Sequence, residues 1–122
     1  MAVNDKIKQV KDAEADLELV SALWGGTQAM RDAGKTYLPQ EPGEEADAYK
    51  NRKNRTTLTN IFKRTINTYA GRLFEDEVKI ENQPGLDSFT ENVDLEGRSF
   101  HRFGYDLTRL SLRDGIRFIL VD

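Results

Sequence analysis

Apolar positions recur at helical spacing over much of the chain. Ile7, Val10, Ala13, Leu17, Val20 and Trp24 fall every three or four residues, which makes one stripe of an amphipathic helix. Asn4 or Asp5 is placed to cap it. Gly25-Gly26 then predicts a stop or bend, because paired glycines lose too much backbone entropy in a helix. A short helix over residues 27–33 follows, closed by Gly34 in a left-handed conformation. Pro39 and Pro42 remove donors and restrict their predecessors, so residues 37–43 are a loop. Glu44, Glu45 and Asp47 open the next helix, where acids suit the positive end of the dipole.

The clearest helix comes next. Leu58, Phe62, Ile66, Tyr69 and Leu73 lie within an arc of about 80°, with Lys63, Arg64 and Arg72 on the other side. It ends near Phe74. Residues 78–81 alternate like a half-buried strand, and Pro84-Gly85 is a turn. Leu86, Phe89 and Val93 predict a short helix. Ser99 caps another, with Phe100, Phe103, Leu107 and Leu110 on one face and Gly115 ending it. Residues 116–121 form a nearly continuous apolar run, expected as a strand buried on both faces.

The pattern sums to a mainly α, α+β chain with a few short strands. It reads as a single region, 1–122, with a helix over 1–25, a proline-containing loop over 35–43 and a basic helical segment over 44–74. A mixed strand and helix segment over 78–122 ends in the buried strand. Such a strand needs neighbours, and only one other is expected. The fold therefore reads as incomplete on its own, completed by more of the same protein or by another chain.

Composition sharpens this. A length of 122 residues allows one domain. The hydrophobic fraction of 38% is thin and the charged fraction of 32% high for a self-sufficient globule, while eleven aromatics argue against disorder. The absence of cysteine removes disulfide scaffolds, thiol nucleophiles and Cys-ligated zinc. No run approaches the ~18 apolar residues of a membrane span, and the first residues lack the apolar stretch of a signal peptide. A soluble, non-exported chain is expected, with no membrane partner.

Charge is segregated. Residues 50–72 contain seven basic residues (Lys50, Arg52, Lys53, Arg55, Lys63, Arg64 and Arg72) and no acid. The remainder holds 11 basic and 21 acidic residues, so a net charge of -3 conceals an oriented distribution. The basic segment fits nucleic-acid phosphates, a mate across a subunit interface, or the ordinary polar face of a helix.

Two motifs invite catalytic readings. Residues 29–36 resemble a relaxed phosphate-binding loop in Gly34-Lys35-Thr36, with Ala29 where glycine is usual, and residues 118–122 resemble an apolar strand ending in a magnesium-binding Asp122. Such a loop works when a strand feeds it and a helix begins at the Gly-Lys-Thr. Here residues 17–24 have helical spacing and prolines follow closely, so a nucleotide hydrolase is an alternative rather than the reading. A small helical nucleic-acid-binding module is another. His101, the only histidine, reads as a half-exposed helix residue. The acids at 44–47 and 75–77 lack the glycine-punctuated alternation of a calcium loop. Trp24, Tyr37 and Tyr49 read as packing or loop anchors.

Several of these residues carry a family resemblance. Trp24-Gly25-Gly26, Met30-Arg31, Gly34, Tyr37-Leu38-Pro39 and Pro42-Gly43-Glu44 occur in order. Tyr49, Arg52, Arg55, Leu58, Asn60, Arg64, Thr65, Gly71 and Phe74 follow. Asn92-Val93-Asp94-Leu95-Glu96-Gly97, Phe103, Leu110, Gly115 and Ile119-Leu120-Val121-Asp122 complete the series. Over residues 20–122 the chain resembles the N-terminal, wing-region part of portal proteins of tailed bacteriophages. The resemblance implies a structural subunit of a ring, usually of twelve copies, at one capsid vertex in the virion, assembled in the host cytoplasm. Double-stranded DNA enters and leaves through such a ring. Head-tail adaptor, capsid or scaffold protein and terminase are its partners, mostly through parts outside these residues. It implies no catalytic residue, metal or cofactor. The family normally continues past the strand ending in Leu-Val-Asp, where this sequence stops.

Overall fold

The structure, a computed structural model, describes residues 7–81 and 84–120. The chain is mainly helical, and no strand occurs among the described residues. Its elements are α1 (Lys8–Asp12), α2 (Glu14–Ala33), a 3-10 turn (Gly34–Thr36), α3 (Ala46–Arg55), α4 (Ile61–Leu73), α5 (Asp87–Glu91) and α6 (Phe100–Asp114). They form two compact units, Met1–Lys63 and Arg64–Asp122.

In the first unit, α2 breaks at Gly26, which takes φ 75° and ψ -152°. Only glycine adopts this conformation without a Cβ penalty. Gly25 is required for space: a Cβ there would stand 2.5 Å from the Ala29 Cβ. The break interrupts the i→i−4 ladder and leaves carbonyls of the preceding turn to find other partners. Side chains from the start of α4 supply them. Asn60 Nδ2 donates to Leu23 O at 2.6 Å, and Lys63 Nζ lies 3.4 Å from Trp24 O and 5.2 Å from the Trp24 ring centroid. Asn60 also accepts from Lys63 N through Oδ1 at 2.9 Å, the bond of an N-cap residue. One side chain thus starts α4 and ties it to the kink.

Residues 56–60, between α3 and α4, lie along α2. Arg31 Nε donates to Thr56 O (2.9 Å), Leu58 N donates to Thr27 Oγ1 (3.1 Å), and Asn60 reaches Leu23 O. The helix positions step by four and the linker positions by two, in opposite directions. Over the unbroken step from Arg31 to Thr27, four helical residues rise about 6 Å, close to the ~6.6 Å that two extended residues span; the step to Leu23 crosses the break at Gly26.

In the second unit, α4 buries Ile66 and Ala70. Phe74 meets α6 edge-on, with ring centroids 5.6 Å from His101 and 5.9 Å from Tyr105. Gly104 permits this approach, since a Cβ there would come within 3.1 Å of the Phe74 ring. His101 Nδ1 accepts from Val78 N at 3.1 Å, so the sole histidine holds a chain turn. Phe89 on α5 packs against Phe100 on α6 at 6.3 Å. Ser99 caps α6 by accepting from Arg102 N, and Gly115 ends it in the left-handed conformation, φ 73°.

Four expectations are corrected. Residues 78–81 are not a strand: Val78 and Ile80 are exposed, and the Val78 N–H goes to an imidazole instead of a ladder. Residues 116–120 are not a buried strand either. Phe118 and Leu120 are 72% and 94% exposed, and the run has no strand beside it among the described residues. The fold is accordingly mainly α without the expected short strands; Val121 and Asp122 lie outside the described residues. Third, the packed side of α4 is rotated from the expected stripe: Ile66 and Ala70 are buried while Tyr69 and Leu73 stand exposed. Fourth, Gly34 has positive φ (58°) but ψ -123°, outside the left-handed helical well. The cap expected at Asn4 or Asp5 also lies outside the described residues, whose first helix has Ile7 as N-cap.

Asn60→Ala removes both the cap and the tie to the kink, and should lower stability by about 1–2 kcal/mol in urea denaturation. Asn60→Asp keeps the acceptor but loses the donor to Leu23, and should recover only the capping part.

Candidate functional site

The basic residues divide by what they touch. Arg52 is committed within the chain: Nε and Nη2 donate to the two Glu44 carboxylate oxygens at 2.8 and 2.7 Å, and Nη2 also donates to Pro39 O at 2.8 Å. Its guanidinium lies 5.5 Å from the ring centroid of Tyr49, which is buried and donates through its hydroxyl to Leu38 O at 3.0 Å. Lys35 approaches the same ring at 5.7 Å. Glu41 N donates to Glu44 Oε2, and Gln40 Nε2 to Glu44 O. The proline-containing loop, with Gly43 at φ 79°, is thereby clamped onto α3. Lys63 is occupied at Trp24, whereas Lys50, Arg55, Arg64 and Arg72 are exposed and Lys53 half-buried. Arg52, Lys53 and Arg55 sit in the last turn of α3, where cations suit the negative end of the dipole.

Gly34, Lys35 and Thr36 do not form a phosphate cradle. They make a 3-10 turn that closes α2, so a helix ends where the motif needs one to begin. Phe118, Ile119 and Leu120 form no strand, and Asp122 is outside the described residues. No cluster of three or more metal-binding side chains occurs among the described residues, and no helix there is long and apolar enough to cross a membrane.

The structure instead assembles an apolar recess and a stiff loop. The recess, about 200 Å³, lies where α2, the Tyr37-Leu38 corner and residues 56–58 meet. Met30, Tyr37, Leu38 and Leu58 supply its apolar wall, and Arg31 its polar edge. A shallower basic recess containing Arg52 and Arg55 adjoins it at the shared Thr56. In the second unit, Asn92 Oδ1 accepts from Gly97 N at 2.7 Å, and Asp94 Oδ1 accepts from Glu96 N and Arg98 N at 3.0 and 3.1 Å. Val93 N donates to Arg98 O, and Arg98 Nε pairs with Asp94 at 3.1 Å. Burial would raise the Asp94 carboxyl. The N–H groups of Glu96 and Arg98, with the Arg98 charge, outweigh it and hold the group below the usual carboxylate range. At the tip stands Leu95, 89% exposed at φ 61°.

Residues that carry the sequence resemblance are spent on these joints. Trp24, Gly26 and Asn60 make the kink; Tyr37 and Leu38 edge the recess; Pro39, Gly43 and Tyr49 belong to the clamp. Asp94 and Gly97 make the loop, and Gly115 ends α6. Arg64 and Gly71 are exposed on α4. Sequence reasoning missed the recess and the exposed, positive-φ placement of Leu95. The Asn92-x-Asp94-x-x-Gly97 pattern was the available signal for the loop, since Asn and Asp side chains bond backbone N–H groups a few residues on. No family model matches the chain, and comparison with curated proteins and with solved structures returns no match.

The Arg52 hydrogen bonds lower the Glu44 carboxyl below its ordinary value, against burial, which raises it; the Glu41 N–H and the Arg52 charge also lower it. A depressed carboxylate stabilises above its unfolded value, and that contribution is lost as pH falls through the lower folded one. The clamp should therefore hold at neutral pH and release below the ordinary glutamate range. The Glu41 amide resonance in a 1H-15N NMR titration should report that release, and Glu44→Gln should remove the transition.

Proposed function

We propose that this chain is a structural subunit of a phage portal ring, contributing its N-terminal wing region to the assembly through which double-stranded DNA passes. What carries the reading is the apolar surface left uncovered. Ile61, Tyr69 and Leu73 on α4, Leu112 on α6, and the run from residues 116 to 120 are exposed. Tyr49, Ile66 and Ala70 are the buried core among the described residues, and no large side chain there is fully buried. Scattered apolar residues on a surface need no explanation, but a surface this apolar over so small a core marks an interaction surface. The ordered sequence resemblance supports a portal as that assembly. The segregated charge supports contacts between unlike surfaces of neighbouring copies, as a ring requires. The role is non-catalytic. Its partners are further copies of the chain, DNA in the channel, and the adaptor, capsid or scaffold and terminase, with the virion vertex as its location.

Negative-stain imaging of a tagged copy isolated with its native assembly should show rings with a central channel. A well-folded monomer would sink the proposal. ATP turnover lost in Lys35→Ala, or DNA affinity of the isolated chain that falls steeply with salt, would replace it with one of the alternatives. Arg55→Glu should weaken ring assembly; Arg52 is unsuitable for that test, because its reversal would also release the clamped loop.

A further inference from the structure

We propose that the recess at Thr56 receives Leu95 from the loop of a second copy of this chain, a knob-and-hole contact between unlike surfaces. The inference rests on the self-assembling reading above and names a contact it requires. Leu95 is 89% exposed, yet its backbone lies in a braced turn. Residues 92–98 are braced by the bonds of Asn92, Asp94 and Arg98, and Leu95 occupies a positive φ that disfavours any side chain with a Cβ. Strain of this kind persists only where surrounding structure enforces it. An apolar anchor held rigid before binding loses little entropy on docking.

The recess has the complementary form. A cavity of roughly 150 Å³ holds a six-carbon ring, so about 200 Å³ takes the four-carbon branch of a leucine. Its wall is apolar, and Met30 adapts to irregular shapes. Charge selects the occupant. Leu95 sits between Asp94 and Glu96, with Arg98 turned back on Asp94, while Arg31 edges the recess and exposed Arg55 lies in the basic recess beside it. With Asp94 paired to Arg98, Glu96 is the tip's acid toward the basic rim, and that attraction steers association and fixes orientation. Hole and knob lie in different units of the chain, so the contact joins one surface of a copy to a different surface of the next. Repeated contacts of that kind close into a ring or extend into a filament.

The chain has no cysteine, which allows a direct test. Copies carrying Leu95→Cys are mixed with tagged copies carrying Thr57→Cys, and the assembly is oxidised. A disulfide between the two kinds of copy is expected. Separately, Leu95→Ala should weaken self-association about tenfold, while Leu95→Met should retain it. Assembly of the mixed copies without that cross-link, or association unchanged in Leu95→Ala, would overturn the contact and leave the ring reading standing. Absence of any assembly by the unsubstituted chain would overturn both. A disulfide formed only within single copies carrying both substitutions would also overturn it.

Discussion

The first unit depends on a match of two repeats. A linker bonded at every second residue runs beside a helix bonded at every fourth, and over the unbroken step from Arg31 to Thr27 the ideal rises agree to within about 1 Å. Arg31, Thr27 and Leu23 face Thr56, Leu58 and Asn60 in antiparallel order. Between the second and third of these ties α2 breaks at Gly26. That break leaves carbonyls for Asn60 and Lys63, and Asn60 then starts α4. The apolar recess lies beside the same seam, walled by α2 and by residues 56–58. Backbone polarity, rather than apolar burial, orders this unit: among its described residues the buried apolar side chain is Tyr49, whose hydroxyl also serves the loop.

What could be read from the sequence was local. Gly25-Gly26, the prolines at 39 and 42, Ser99 and Gly115 act on the backbone of their own neighbourhood, and they bend, break, start and end helices as their chemistry requires. The portal resemblance singled out Asn60, but its two-way role was not legible, because its partner Leu23 lies 37 residues away. The sequence groups Arg52 with the other basic residues of 50–72, although Glu44, eight residues earlier, takes both arms of its fork. Composition records a charge without recording its partner. The two strand expectations failed for a related reason. Alternation at residues 78–81 and apolarity at 116–120 describe segments able to pair, but pairing is a property of two segments, and these remain exposed.

The same reasoning separates the phosphate-loop motif from a phosphate site. Gly34, Lys35 and Thr36 have the right identities in the right order, but a phosphate is held by N–H groups at the start of a helix. At the end of α2 the helix presents carbonyls instead. Residue identity is a weaker constraint than the direction of the backbone beneath it.

Stiff joints and uncovered faces coexist in this chain, and together they say more than either alone. A chain with a small core and no internal bracing would be expected to remain disordered until bound. Here the kink, the clamped loop and the braced turn at 92–98 are each fixed by side chain to backbone hydrogen bonds that need no large core. Leu95, on the braced turn, is thereby held in a defined place while still exposed. Such an arrangement loses less entropy on association than a segment that folds as it binds. In the proposed contact, a rigid knob and a rigid basic-edged hole would reject partners that lack either shape or charge. If the proposed ring supplies part of the core of each copy, the thin apolar fraction of 38% is what a subunit of it requires.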